Sequence, residues 1–426
     1  MSVEYDPFSP EVMLDPYRVY RELRAAHRAY ALPEYDAWAL TRFDDVWQAL
    51  ADRHTFSIVE GPVFRREQLL HHNDGRAPVP PPSRPVPSFS TLDAPVHTHL
   101  RRAMLGPFRP GFVGGLEPTV RRLARERLDE LDGQSRFDVR HDYASPVAAA
   151  VAAHQLGFRV EDARALVELV NRSVRRAPGR SGATEDGLAA RRELGEFFVA
   201  LVADRRARPR PAEPQDALDG LLAFSMPDGP APDAEGGRRP LDDAEIADQL
   251  STLFVGGSET LPKVTAGAVH QLWRDPAQRD AIVAEPTRVP AAFEEALRTE
   301  LPLQFVGRTL LVDAEVAGER MRAGQRVVLL LICANRDEHE FADPERFVAS
   351  RFSGGRLGAG GRNDRNLGLG HGVHVCIGAH VARLEGTVML QELLARHPRY
   401  EVDDTDLRRE GSEFHVSWAQ MPIVVA

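Results

Sequence analysis

The stretch from Asp242 to Leu272 restricts this chain more than any other. Ile246, Leu250, Leu253, Phe254, Val264, Ala268 and Leu272 recur at helical spacing. Asp242 stands where an N-cap belongs and Glu245 follows three residues later. In that arrangement each side chain satisfies the other residue's free backbone N–H. A long helix is therefore predicted from about Asp242. Further helical periodicities occupy 96–206, a helix from Pro290 to about Thr299, where proline suits the first turn, and a final long helix over roughly 378–395. Strand-like runs are short, at 305–312 and 326–332, with an edge hairpin suggested by the stretch ending at Tyr35–Leu40. The order predicts a mainly α protein (α+β) with small sheets, not an alternating strand–helix fold.

Between these elements lie segments that cannot be regular. Pro78, Pro80, Pro81, Pro82, Pro85 and Pro87 forbid continuous helix or central strand within 57–92. The segments 175–187, 207–215, 226–240 and the Gly-rich 354–372 read as connections. A loop as long as 57–92 in a compact protein is usually functional or disordered.

Composition excludes several classes. With 63 acidic and 53 basic side chains, the net charge of −10 provides no global attraction to nucleic acid or anionic membrane. No apolar run is long enough for a membrane span, and the first residues show neither a basic flank nor an apolar core of a signal sequence. A cytoplasmic protein is expected. Two cysteines, Cys333 and Cys376, rule out a disulfide framework and a four-cysteine zinc site. Cys333, in an apolar run, reads as an ordinary buried thiol.

Cys376 has a different setting. It ends the run Leu367-Gly368-Leu369-Gly370-His371-Gly372-Val373-His374-Val375-Cys376-Ile377-Gly378, just before the last predicted helix. Glycines allow left-handed turns and close backbone approach to a flat ligand. N–H groups at a helix start favour a negative sulfur. The residues alone leave a buried structural cysteine open. A second run, Phe254-Val255-Gly256-Gly257-Ser258-Glu259-Thr260, sets two glycines and an acid–alcohol pair inside the long helix. Gly-Gly removes side-chain bulk where a flat group could lie, at roughly 1 kcal/mol per glycine relative to alanine. A plain structural kink is the alternative. Pro262 lacks the N–H that would meet the carbonyl of Ser258, so a widened turn at 256–262 is expected. A third run, Glu295-Ala296-Leu297-Arg298, places two opposite charges on one helix face, which by itself is as readily a surface ion pair.

Taken in order, these runs resemble the cytochrome P450 family in its soluble bacterial form. Gly372, His374, Cys376 and Gly378 match the cysteine signature Phe-x-x-Gly-x-His/Arg-x-Cys-x-Gly, with Leu369 in place of the usual phenylalanine. Gly256 to Thr260 match the family's central-helix motif. Glu295 and Arg298 match its Glu-x-x-Arg, and Asp343-Pro344-Glu345-Arg346-Phe347 its later Pro-x-Arg-Phe. The likeness begins at Ser9–Leu23, with Asp15-Pro16-Tyr17, and ends near Pro422.

The resemblance implies one P450 domain over 1–426, with a smaller β-rich part (about 30–60 and 305–332) and a larger helical part. It implies haem b (iron-protoporphyrin IX) ligated by Cys376, a thiolate that favours O–O cleavage, with Leu369 and Gly378 beneath it and Gly256 and Gly257 above. His97, Arg101, Arg308 and His374 would bind the haem propionates. Glu259 and Thr260 would relay protons to bound oxygen. Glu295, Arg298 and Arg346 would form a buried triad that holds the cysteine loop. Thr252, Val255, Gln304 and Val306 would line the substrate pocket, with 57–92 and 175–187 at its entrance.

The activity implied is a monooxygenase placing one atom of O2 into a small molecule by hydroxylation or epoxidation. A ferredoxin and its NAD(P)H-dependent ferredoxin reductase would supply electrons. Arg102 and Arg109 are candidates for docking an acidic ferredoxin. Thr252 and Gln304 add polar groups to an apolar wall, and unpaired buried polar groups are costly. A mid-sized, partly oxygenated natural-product intermediate is therefore expected. A xenobiotic, fatty acid or aromatic compound, or a peroxide-driven peroxygenase reaction, are the alternatives. The intact Glu259–Thr260 pair argues against the peroxide-driven alternative, and a haem-binding sensor would need neither entrance loops nor an open distal site.

Overall fold

The structure is a computed structural model that describes residues 3–70, 85–177, 181–209, 211–227, 238–354 and 365–425. The expected loops at 57–92, 175–187, 226–240 and 354–372, and residue 210 of 207–215, lie partly outside the described residues. Among the described residues, the helices that position the site are α1 (Val96–Met104), α2 (Ser145–Leu156), α3 (Val160–Val174), α4 (Glu185–Arg206), α5 (Asp243–Arg274), α6 (Val289–Thr299) and α7 (Ala379–Arg396).

Helix α5 starts as its sequence dictates. The Glu245 N–H donates to Asp242 Oδ1 at 2.8 Å, and the Asp242 N–H donates to Glu245 Oε2 at 3.0 Å. It then runs 32 residues, roughly 48 Å at 1.5 Å per residue. Ile246, Leu250 and Phe254 are completely buried, and each such side chain stabilises the fold by roughly 1.5–3 kcal/mol. Pro262 lies inside the helix without ending it. The widened turn expected at 256–262 does not interrupt α5, and the Ser258 hydroxyl donates to the Phe254 carbonyl at 2.7 Å. Small side chains explain how α2 crosses α5 closely. Residues 148–153, five alanines and one valine, are almost completely buried all round the helix. Helices α3 and α4 complete that side, while α6 and α7 pack on the other. One apolar core collects these helices.

A second core surrounds a five-stranded sheet. Its strands are β1 (Ala29–Leu32), β2 (Ala37–Leu40), β3 (Phe56–Ser57), β4 (Phe305–Leu310) and β5 (Arg326–Leu330), in the order β1-β2-β5-β4-β3. The β1–β2 hairpin pairs Ala29 with Leu40, and β5 joins β2 in parallel with Arg326 opposite Ala37. Strand β4 pairs antiparallel with β5, placing Arg326 opposite Thr309. Residues distant in sequence thus share one sheet, with Arg308 on β4. Cys333 is fully buried in a short turn after β5. Burial raises its thiol pKa to about 12. A smaller hairpin, β6 (Arg408–Gly411) and β7 (Val416–Gln420), packs near α5. No helix among the described residues is long and apolar enough to cross a membrane. The fold is mainly helical with small sheets, as the sequence pattern predicts.

Candidate active site

The cysteine loop is pinned before it reaches its sulfur. The Asn366 side chain accepts the Gly368 N–H at 2.8 Å and donates to the Glu294 carbonyl of α6 at 2.9 Å. The Leu367 N–H donates to Asn335 Oδ1 at 2.9 Å. Gly372 sits at φ +73°, and a Cβ there would lie 2.4 Å from the Leu50 carbonyl oxygen. Only glycine tolerates both conditions. His371 stacks on Trp47 with ring centroids 3.6 Å apart. Two further bonds hold the end of the loop. The Cys376 N–H donates to the Leu369 carbonyl at 2.8 Å, and Arg101 Nη2 donates to the Val375 carbonyl at 2.6 Å.

Cys376 is exposed and lines the cavity between the loop and α5. Desolvation raises its thiol pKa, while the Gly378 N–H and the charges of Arg101 and Arg383 act in the opposite direction. Those three groups are what a bound thiolate requires.

Behind the loop, Glu295 and Arg298 are wholly buried on α6 and meet through two hydrogen bonds of 2.8 and 2.7 Å. The third member differs from the sequence expectation. Arg346 extends its side chain into solvent, 68% exposed, and its guanidinium lies 3.7 Å from Asp275. Only its carbonyl joins the network, accepting Arg298 Nη2 at 3.0 Å. Arg351 takes the place expected of Arg346, with Nε 3.0 Å from both Glu295 oxygens. The reason is the turn at 343–351. It folds the backbone of Arg346 inward, so its side chain points out, and brings Arg351 back over the carboxylate.

The cavity encloses about 420 Å³ between the cysteine loop and α5. Thr252, Gly256, Gly257 and Thr260 line it from α5, and Leu369, His374, Cys376 and Gly378 from the loop. A Cβ on Gly256 would meet nothing within 4 Å, so the wall there is open to a flat occupant. At one edge Arg101 and Arg308 line the cavity beside His374, and the ring of His97 lies 4.1 Å from that of His374. Both ring nitrogens of buried His97 lack a hydrogen-bond partner. Burial, then the Arg101 charge, lowers the His97 pKa to about 4. Burial, then His97, Arg308 and Arg101, lowers His374 to about 3. Burial also lowers Arg308 to about 10, opposed by Asp93. Such a concentration of basic groups, with the His97 ring unpartnered, fits a ligand that carries two carboxylates. Haem, with two propionates and a flat ring above a thiolate, fits these residues.

The acid–alcohol pair divides. Thr260 faces the cavity, whereas Glu259 turns to Lys263, one helical turn on, and forms an ion pair with it. Val306 lines the cavity with Thr252, but Val255 and Gln304 do not. Val255 packs against the helical core. Gln304 is completely buried elsewhere. It accepts from the Tyr20 hydroxyl at 2.8 Å and donates to the Ser412 carbonyl at 2.8 Å. Gln304 therefore ties three segments together instead of meeting substrate. Its position just before β4 put it near the cavity in sequence, but the chain turns its side chain away. Of the expected entrance segments, Ile58, Phe89 and Ser90 line the cavity, while no described residue of 175–187 does. Glu385 is a cavity residue that the motifs did not single out. It is buried on α7, and burial raises its carboxyl pKa well above the ordinary range. A carboxylate between Leu384 and Gly386 in the apolar last helix was the available signal.

Comparison with known proteins agrees with this geometry. The family model described as Cytochrome P450 matches residues 88–417. Cytochrome P450 130 of Mycobacterium tuberculosis is 31% identical over 425 residues, covering 97% of this chain and 96% of that protein. Cytochrome P450 CYP109Q5 from Chondromyces apiculatus superposes with a TM-score of 0.79 at 30% identity, covering 100% of this chain and 99% of that one. A mutant of P450 EryK, solved in complex with erythromycin B, gives a TM-score of 0.78 at 28% identity, with 97% of each chain covered. A glycine-cradled sulfur beneath a cavity rimmed by arginines and histidines, on a chain matched over nearly its whole length, has one reading: the chain belongs to the cytochrome P450 family of haem-thiolate monooxygenases.

Proposed function

We propose that this monooxygenase holds haem b through Cys376 and hydroxylates or epoxidises a mid-sized natural-product intermediate with a largely apolar skeleton. The observation that carries the reading is the pairing of the Cys376 sulfur with the rim of His97, Arg101, Arg308 and His374 around one cavity. Haem, when bound, would supply the iron chemistry that activates O2. The chain's own residues do the rest. Cys376 would ligate the iron, and the Gly378 N–H with Arg101 and Arg383 would favour its anionic form against the desolvation that raises its pKa. Arg101 and Arg308 would pair with the two propionates, and the His97 and His374 rings would donate hydrogen bonds to them. Gly256, where a Cβ would meet nothing within 4 Å, leaves the α5 wall of the cavity open. Thr260 presents a hydroxyl to the cavity, from which a proton donated by Glu259 can be passed on.

With Gln304 outside the cavity, Thr252 and Ser90 are, beside Thr260, the polar groups that can orient a substrate on its α5 and 57–92 sides. An oxygenated substrate with few polar contacts suits that wall. The erythromycin B complex of P450 EryK supports the natural-product class. Electrons would come from a ferredoxin and its NAD(P)H-dependent reductase, in the cytoplasm, with Arg102 and Arg109 among the docking candidates.

The deciding experiment is the absorption spectrum of the reduced holoenzyme under carbon monoxide. Thiolate ligation is expected to give the strongly red-shifted band, and Cys376→Ser to abolish it. An unshifted band in the unmodified protein would refute the ligand assignment. A panel of macrolides, steroids, fatty acids and aromatics, scored by spectral displacement of distal water, then tests the substrate class.

A further inference from the structure

The chain has 53 basic side chains, and Lys263 is the one lysine among them. All the others are arginine, including those on the surface. Lys263 is 2% exposed, in the interior of α5. Its ammonium contacts Glu259 and lies 3.2 Å from Glu410 Oε1 on β6. The Glu259 side chain is 12% exposed and that of Glu410 is 32% exposed. The three groups therefore run from solvent, through the β6–β7 hairpin, to the residue next to Thr260 at the cavity.

We propose that Lys263 is a positioning residue that acts through Glu259: it holds this acid away from the cavity, delivers the proton that Glu259 carries toward Thr260, and is recharged through Glu410. The inference rests on the reading of Glu259 as the acid of the proton path. An arginine could supply the same charge but cannot release a proton in a protein, whereas a buried lysine can. That difference accounts for a lysine at this position in a chain that otherwise uses arginine throughout.

The proton balance is simple. The Lys263 ammonium gives one proton to the Glu259 carboxylate, leaving a neutral amine beside a neutral carboxylic acid. Without an ion pair to hold it, Glu259 can turn and release the proton by way of the Thr260 hydroxyl. Glu410, the most solvent-exposed of the three, takes a proton from solvent and passes it to the amine. One proton has then moved from solvent to the cavity, and all three groups regain their charges. Glu410 also keeps the ammonium paired whenever Glu259 has left it, so no buried cation is stranded.

Other charges face this cluster from each neighbouring element. Arg140 Nη1 donates to Glu410 Oε1 at 2.7 Å, and the Ser417 hydroxyl on β7 donates to it at 3.0 Å. His415 Nε2 lies 3.9 Å from Glu410, with its other nitrogen 2.8 Å from the Ser412 hydroxyl. Arg176, beyond α3, faces Glu413 at 3.7 Å and adds positive charge near Glu259. Lysine and these two arginines balance Glu259, Glu410 and Glu413, so the path is not a site of net charge.

The test uses the haem-loaded enzyme with its redox partners. Because the chain has one lysine, labelling with 15N-lysine gives a single Nζ resonance in the reduced, carbon-monoxide-bound form. That resonance is expected to shift in both Glu259→Gln and Glu410→Gln, and its exchange with water to slow in Glu410→Gln. In turnover, Lys263→Met is expected to lower product formation by about tenfold or more. Electrons should be diverted to peroxide and the solvent isotope effect should change, with KM unaltered. Lys263→Arg should fail to restore the isotope effect. An Nζ resonance indifferent to both glutamates would overturn the proposal, as would normal coupling and isotope effect in Lys263→Arg. If Glu259→Gln itself left coupling unchanged, the assignment of the acid would fail. If Glu259→Gln uncoupled the enzyme and Lys263→Met did not, the lysine relay alone would fail.

Discussion

Replacing Arg351 by alanine is predicted to loosen the cysteine loop, while replacing Arg346 does little. The two arginines differ in what their guanidinium groups touch. Arg351 is 14% exposed and reaches both oxygens of Glu295, a carboxylate with no exposure at all. Its other nitrogens donate to the carbonyls of Ala342 at 2.6 Å and Asp343 at 3.3 Å. Breaking a buried ion pair from one side costs about 3–5 kcal/mol. Glu295 would keep Arg298 and the Val348 N–H at 2.9 Å, so the loss should be nearer about 2–3 kcal/mol. Arg346 is mostly in water and its pair with Asp275 is long, so its side chain contributes about 0–1 kcal/mol. For a chain of this size the unfolding entropy is on the order of 0.9 kcal/mol per degree. Arg351→Ala should therefore lower the melting temperature by roughly 2–3 °C. The same variant should lose haem during gel filtration, measured as the ratio of haem to protein absorbance. Equal losses in Arg346→Ala would refute the assignment of Arg351 as the third member.

Gly372→Ala should prevent stable haem loading, because φ +73° and a Cβ 2.4 Å from the Leu50 carbonyl cannot both be relieved; a haem titration of the purified variant measures it. His270 is buried, and burial, then Arg274 and Arg409, lowers its pKa to about 4. The unfolded chain then binds more protons between about pH 6.5 and 4. Stability tied to His270 is complete above about pH 6.5 and is lost as pH falls toward 4. His270→Phe should flatten urea midpoints across that window, by up to about 3 kcal/mol at its acid end. Thr252→Val should change the affinity read from substrate-induced spectral shifts. Gln304→Ala should leave that affinity alone and lower the urea midpoint, because its amide is occupied by Tyr20 and Ser412.

Local signals were legible where neighbouring residues settle the outcome between themselves. Asp242 and Glu245 cap each other within one turn, so their sequence spacing sufficed to place the start of α5. The cysteine loop was legible for a related reason. Glycines at fixed offsets from Cys376 prescribe backbone shape, and the helix that follows begins where the loop ends. Pro262 marks no end to α5, which continues through it.

The sequence by itself determined a glycine-rich loop ending at Cys376, a long glycine-bearing helix and opposite charges of Glu295 and Arg298 on one helix face, because each is encoded within a few consecutive residues. The tertiary structure decided which distant side chains complete them. It set Arg351 rather than Arg346 against Glu295, removed Gln304 from the cavity, and turned Glu259 from Thr260's side toward Lys263 and Glu410. Those outcomes depend on where a side chain points after turns and strands have converged. A shift of one residue reverses that direction in a strand, and no local pattern records it.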